Sequence, residues 1–77
     1  MENIPVSFEC EGKNYRGLLT AVNGAGVQVY YLMIDNFYKG RLRLMDRFGW
    51  QFDPTPKTES FKELRDFFGD VVTAWYE

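Results

Sequence analysis

The sequence predicts an α+β domain in which a curled antiparallel sheet of four to five strands is packed by one C-terminal amphipathic helix. Apolar and polar residues alternate along residues 5–52, which is typical of strands with one buried face. From residue 60 the apolar spacing changes towards that of a helix. Asp53-Pro54-Thr55-Pro56 separates the two regimes, because each proline disfavours helical geometry in the residue before it. The 77 residues leave room for one domain, residues 1–77.

The first hairpin is predicted around Gly12-Lys13. Apolar and polar residues alternate on both sides of this pair, and glycine suits the first position of a two-residue type II′ turn, where φ is positive. The turn fixes a register with the apolar pairs on one face, and it sets Glu9 opposite Arg16 on the other face. The predicted apolar pairs are Cys10 with Tyr15, Phe8 with Gly17 and Val6 with Leu19.

The second hairpin is predicted around the two-residue turn Asp35-Asn36, after a connecting loop at residues 23–26. The predicted pairs are Met33 with Tyr38, Tyr31 with Gly40, Val29 with Leu42 and Val27 with Leu44. In each hairpin the interior glycine would lie opposite an aromatic ring, which compensates for the missing side chain. A short fifth strand at residues 49–52 would place Trp50 and Phe52 on one side.

The tail of the chain predicts a helix that begins near Ser60, since Ser60 and Glu63 fit the capping-box pattern. A competing interpretation ends the helix at Phe68, makes Gly69 its left-handed cap and adds a final strand. We favour one helix because the apolar period continues through Gly69, in which case Gly69→Ala should stabilise the fold by about 0.5–1 kcal/mol. The predicted sheet–helix core is Trp50, Phe52, Phe61, Leu64, Phe68 and Trp75.

The residue types offer little for catalysis or for a cofactor. The chain has no histidine and one cysteine, so an internal disulfide and a zinc site of soft ligands are both excluded. Cys10 lacks an imidazole to activate it, and Glu9 and Glu11 are typical of a solvated strand edge. Gly24-Ala25-Gly26 leads into a strand rather than a helix N-terminus, which argues against a phosphate loop. We therefore expect no enzyme activity, no cofactor and no metal.

The charge balance also limits the partners. The net charge is −2 and the pI is about 5.0, so no global attraction to nucleic acid or to an anionic membrane is expected. No apolar run approaches the ~20 residues of a membrane span, and the N-terminus lacks the features of a signal peptide. These patterns favour a cytoplasmic location.

The second face of the predicted sheet is the feature that suggests a function. In the predicted register it carries aromatic and aliphatic side chains interleaved with cations, namely Tyr30, Leu32, Ile34, Phe37, Lys39, Arg41 and Arg43. Long basic side chains covering apolar neighbours, or a barrel that buries both faces, would explain this pattern structurally. Alternatively, the face contacts a protein partner, including a second copy of the chain, because an exposed apolar patch usually marks a partner site. We predict this non-catalytic protein-interaction role, with single-stranded nucleic-acid binding as the alternative.

Overall fold

The computed structural model describes residues 3–22, 28–45 and 47–77. Within this part of the chain, five antiparallel strands form a curled half-barrel sheet with one helical segment at the C-terminus, which confirms the predicted α+β fold. The elements are β1 (Asn3–Cys10), β2 (Lys13–Ala21), β3 (Val29–Ile34), β4 (Phe37–Met45), β5 (Gly49–Pro54), a 3₁₀ helix (Glu59–Leu64) and α1 (Arg65–Tyr76). Strand order follows chain order, so β1 and β5 are the edge strands.

The β1–β2 hairpin turns one residue earlier than predicted. Its turn is Glu11-Gly12, with φ of 51° and 78°, and two positive φ values define a type I′ turn. The pairs are therefore shifted by two residues, and Glu9 lies opposite Asn14 rather than Arg16. This register pairs Leu19 with Ile4 rather than with the predicted Val6, and both side chains are buried. On the face of the sheet that carries the buried residues of β1, the observed pairs are Cys10 with Lys13, Phe8 with Tyr15, Val6 with Gly17 and Ile4 with Leu19.

The β3–β4 hairpin has the predicted Asp35-Asn36 turn, with φ of 54° and 69°, and the predicted pair of Met33 with Tyr38. Beyond that pair a β-bulge shifts the register by one residue, so that Lys39 is the extra residue of β4. The predicted pairs of Tyr31 with Gly40 and Val29 with Leu42 are therefore wrong. The observed pairs are Leu32 with Gly40, Tyr31 with Arg41, Tyr30 with Leu42 and Val29 with Arg43. The predicted pair of Val27 with Leu44 lies outside the described residues.

Gly40 explains why the bulge forms at this point. Its φ of +145° is a backbone conformation that residues with a side chain rarely adopt. A β-carbon at Gly40 would also collide with the ring of Phe52 from β5. A ring does cover a strand glycine, as the sequence suggested, but it is the Phe52 ring of β5 and not the predicted Tyr31 ring of β3.

The 3₁₀ helix and α1 cover one face of the sheet, which we call the inner face. The core on this side consists of Ile4, Val6, Phe8, Leu19, Tyr30, Leu32, Leu42, Phe52, Phe61, Phe68 and Val72. Phe8 lies edge-on to both Phe61 and Phe68, with ring centroids 5.1 Å apart in each case. Trp50 and Leu64 pack partly buried against this cluster, as predicted.

The helical segment differs from the prediction at its start and agrees at its middle. Thr58 precedes the first turn and Ser60 lies inside it, so the predicted capping box at Ser60 is wrong. The helix continues through Gly69, which confirms the single-helix interpretation. The predicted core place of Trp75 is wrong, because Trp75 lies in the last turn of α1 and is 49% exposed, whereas Phe68 and Val72 earlier in the helix are buried. The 3₁₀ turn over Glu59–Leu64, which advances about 120° per residue, sets the angle between Phe61 and the buried residues of α1.

Candidate interaction face

The outer face of the sheet lies opposite the helical segment and carries a contiguous apolar surface. Because side chains alternate along each strand, the outward residues of three adjacent strands form two rows. Leu18, Met33 and Tyr38 lie side by side in one row, and Thr20, Tyr31 and Arg41 lie in the next. We call Leu18, Tyr31, Met33 and Tyr38 the outer patch. Leu18, Tyr31 and Tyr38 are 39%, 38% and 46% exposed.

The outer patch has a fixed shape at its centre. The rings of Tyr31 and Tyr38 meet edge-to-face, with centroids 5.2 Å apart and planes at 84°. Next to them is a shallow cavity of about 640 Å³, with Leu18 and Met33 among its lining residues. A partner's apolar side chain would find a preformed depression here rather than a flat surface.

Two arginines and one aspartate form a charged cluster beside the outer patch. Arg41 donates hydrogen bonds from Nε and Nη2 to Asp53 Oδ2, at 3.2 and 2.9 Å. Arg43 donates from Nη2 to Asp53 Oδ1 at 3.1 Å. Its Nε lies 2.7 Å from Oδ2, a charge contact rather than a hydrogen bond because the N–H is not directed at that oxygen. Two guanidinium groups thus share one carboxylate, and one positive charge remains uncompensated within the cluster.

The pKa of Asp53 reflects this arrangement. Partial burial acts to raise the pKa, but the hydrogen bonds and the charges of Arg43 and Arg41 outweigh it and hold the pKa below its ordinary value. Asp53 is therefore ionised throughout the physiological pH range. The cluster keeps its single net positive charge over that range.

The structure places the predicted interaction residues in three different regions. Arg41 and Arg43 lie on the outer face, as predicted. Tyr30 and Leu32 are 5% and 0% exposed within the inner core, so their predicted place on the second face is wrong. The one-residue shift at the bulge is the physical reason, since it moves each side chain of β3 to the opposite face.

The remaining predicted residues lie at the end of the second hairpin. Ile34 is partly buried and packs against the core, whereas Phe37 is 66% exposed. Lys39, the bulged residue, holds its Nζ 5.9 Å from the centroid of the Phe37 ring. These three residues therefore do not belong to the outer patch.

Sequence reasoning missed the outer patch because it missed the bulge. Gly40 was the available signal, since a glycine inside a strand often marks a bulge. Counting one extra residue on β4 would have moved Tyr31 and Met33 to the second face.

Three further observations concern the described residues. They include no group of three or more His, Cys, Asp or Glu side chains able to hold a metal ion. No helix among them is long and apolar enough to cross a membrane. Cys10 is partly buried, and its Sγ lies 3.8 Å from the carbonyl oxygen of Ser60, which suits a structural thiol.

The chain matches no protein-family model, and comparisons with curated proteins and with solved structures give no significant match.

Proposed function

We propose that this chain is a small, non-catalytic interaction domain that binds an acidic protein partner through the outer face of its sheet. The supporting observation is the outer patch beside two arginines that share one carboxylate. Tyrosine and arginine are enriched among the residues that dominate protein interfaces. A cytoplasmic location, which the sequence favours, is part of the proposal.

The apolar half of the outer face would supply most of the affinity. Burial of exposed apolar surface contributes roughly 25 cal/mol per Å². Tyr31 and Tyr38 are already held against each other, so ordering them on binding costs little entropy. A partner's aliphatic or aromatic side chain would enter the cavity beside Leu18 and Met33.

The charged half would select an acidic partner. Arg41 and Arg43 carry one positive charge more than Asp53 neutralises, and a carboxylate from a partner would compensate it. Such charges at the rim of an interface contribute mainly orientation and association rate. The preferred partner segment therefore places Asp or Glu beside a large apolar residue.

The same charges disfavour a second copy of the chain as the partner. In a two-fold symmetric dimer the same patch faces itself, so two outer faces with the same uncompensated charge would meet. Each chain also carries a net charge of −2. An acidic partner segment would instead place a carboxylate against the uncompensated positive charge of the arginine cluster.

Pairing through the edge of β1 is disfavoured for a separate reason. Cys10 and Lys13 flank the two-residue turn and form a hydrogen-bonded pair, so alternate residues of β1 direct their backbone groups outward. Pro5 is one of these residues, and it has no N–H to offer to an added strand. The edge therefore lacks a donor near its middle.

Nucleic acid is disfavoured by the number and geometry of the groups. A single-strand binder needs a track of cations along the backbone and open aromatic faces for stacking. Here Asp53 partly neutralises Arg41 and Arg43, and the Tyr31 and Tyr38 rings meet edge-to-face.

The test is a selection from a random peptide display library, followed by titration calorimetry with the enriched peptides. We expect peptides with Asp or Glu next to an aromatic or aliphatic residue. Tyr31→Ser should lower the affinity for these peptides by about tenfold or more, the effect expected of a binding hot spot. Tyr76→Ser, at an exposed tyrosine of α1, is the matched control and should leave binding unchanged. Asp53→Asn should tighten binding, because it frees both arginines.

Three results would reject the acidic-partner proposal. One is a selection without acidic enrichment. Another is a wild-type dimer in sedimentation that Tyr31→Ser dissociates, which would make a second copy the partner. The third is retention of single-stranded oligonucleotides at low salt that Arg41→Gln abolishes.

A further inference from the structure

A second cavity, which we call the hairpin-tip cavity, lies at the end of the sheet where both hairpin turns meet the connector between β5 and the 3₁₀ helix. Its volume is about 630 Å³, within the range typical of small-molecule sites. It shares no lining residue with the cavity of the outer patch. Its lining residues include Lys13, Lys39, Lys57, Tyr15, Ile34 and Phe37.

Three lysines from separate elements line this cavity. Lys13 begins β2, Lys39 is the bulged residue of β4, and Lys57 lies in the connector. Within residues 3–22, 28–45 and 47–77, none of these lysines forms an ion pair. The lining also includes the carboxylates of Glu11 and Asp35, so three positive charges face two negative ones. The lining residues therefore sum to one net positive charge.

The floor of the hairpin-tip cavity is apolar and firmly packed. The Tyr15 ring stacks on Phe8 with centroids 5.2 Å apart, and it meets Phe61 edge-on at 5.1 Å. Ile34 also lines the cavity and packs partly buried against the core, and Phe37 is an exposed lining residue. An apolar or aromatic body placed here would contact rings that are already held in position.

A buried threonine holds the backbone segments that carry Lys39 and Lys57 in place. Thr58 is 5% exposed, and its Oγ1 donates a hydrogen bond to the backbone oxygen of Lys39 at 2.7 Å. The same Oγ1 accepts a hydrogen bond from the N–H of Thr55 at 2.9 Å. These bonds tie the connector that carries Lys57 to the bulge that carries Lys39. The backbones of the two lysines are thus held together before any ligand arrives, which lowers the entropic cost of binding.

We infer that the hairpin-tip cavity binds a small organic anion. The apolar or aromatic body of the ligand lies against Tyr15, Ile34 and Phe37, and its carboxylate or phosphate lies among the lysines. An inorganic anion would leave the apolar floor unused, and a neutral aromatic molecule would leave the lysines uncompensated. Lysine binds either acid group as a point charge, so the chemistry shared by both is an anion on an apolar body.

The test is an NMR titration of the ¹⁵N-labelled chain with four probes. Phenyl phosphate and phenylacetate represent the two anion types, 2-phenylethanol is the neutral counterpart, and inorganic phosphate lacks the apolar body. We expect at least one aromatic anion to shift the amide signals of Tyr15, Ile34 and Lys39 in a saturable way. The neutral alcohol and inorganic phosphate should bind at least tenfold more weakly, and the stronger of the two aromatic anions identifies the acid group.

Charge-removing variants then locate the site. Lys39→Gln and Lys57→Gln should each lower the affinity for the anion by about fivefold, the effect of removing one unit charge at about 4 Å in water. Lys62→Gln, on the exposed side of the 3₁₀ helix, is the matched control and should change nothing. The inference is overturned if no probe saturates, if the neutral alcohol binds as well as the anions, or if the shifts fall on Leu18 and Tyr31 instead. Equal weakening by Lys62→Gln would also overturn it, because the effect would then be general electrostatics.

Discussion

The two hairpins have the same type of turn, but their observed registers differ from the predicted ones in different ways. The β1–β2 turn lies one residue away from the predicted position, which moves every pair by two residues. The β3–β4 turn lies at the predicted position, but the bulge at Lys39 moves the later pairs by one residue. The first error left all inner-face residues on the inner face, and the second exchanged the two faces of β3.

The difference follows from the two-residue repeat of a strand. A shift by an even number changes the neighbours of a side chain but not its face, whereas an odd shift changes both. One bulged residue therefore matters more for locating a surface site than a misplaced turn does. Here it decides that Tyr31 and Met33, and not Tyr30 and Leu32, face outward.

The largest expected effect tests which residues of β3 are buried. Leu32→Ala should destabilise the fold by about 3–5 kcal/mol, because Leu32 is fully buried. Tyr31→Ala, one position earlier, should cost less than about 1 kcal/mol, since its ring is partly exposed on the outer face. Urea midpoints of the two variants measure the difference. The reverse order would mean that the strand pairs without the bulge.

The next effect compares the glycines of the two hairpins. Gly40→Ala should cost about 2–4 kcal/mol, because it combines an unfavourable φ with a collision against the Phe52 ring. Gly12→Ala should cost about 1 kcal/mol, since φ is positive there too but no atom lies within 4 Å of the added carbon. Thermal and urea unfolding of both variants supply the measurement. Equal costs at the two sites would show that the Phe52 ring does not constrain the bulge.

A smaller effect concerns the helix glycine and reverses the expectation from the sequence. A β-carbon at Gly69 would collide with the Trp50 ring, so Gly69→Ala should destabilise by about 1 kcal/mol despite the better helix propensity of alanine. In a Trp50→Leu background the same change should become neutral or stabilising. A double-mutant cycle measures this coupling, and a coupling near zero would mean that Trp50 does not rest on Gly69.

The smallest effect tests the charged cluster of the outer face. Asp53→Asn should cost about 1 kcal/mol or less at neutral pH, as expected for partly exposed ion pairs. Because the folded-state pKa of Asp53 is lowered, the stabilisation is present above its ordinary pKa of 3.8 and is lost as the pH falls through the folded-state value. The stabilities of wild type and variant should therefore differ from pH 5 to 8 and converge below about pH 4. A constant gap down to pH 2 would contradict a charge-based role for Asp53.

Local patterns in the sequence determined the number, type and order of the elements. Alternation and helical spacing are properties of neighbouring residues, and both survive small errors in the position of a turn. The same patterns identified Phe52, Phe61 and Phe68 as core residues, and the apolar period that continues through Gly69 identified a single helix. Arg41 and Arg43 were also assigned to the correct face, because their assignment did not depend on the pairing of β3.

Only the tertiary structure decided which side of β3 faces outward, where the helix begins and what covers each glycine. The bulge depends on a contact between Gly40 and Phe52, which lie on different strands, and the phase of α1 depends on a 3₁₀ turn ahead of it. The cost of a methyl group at Gly69 depends on Trp50, 19 positions away in the chain. These features arise from packing between distant segments, which local periodicity does not encode. The same packing sets the places of the outer patch and the hairpin-tip cavity.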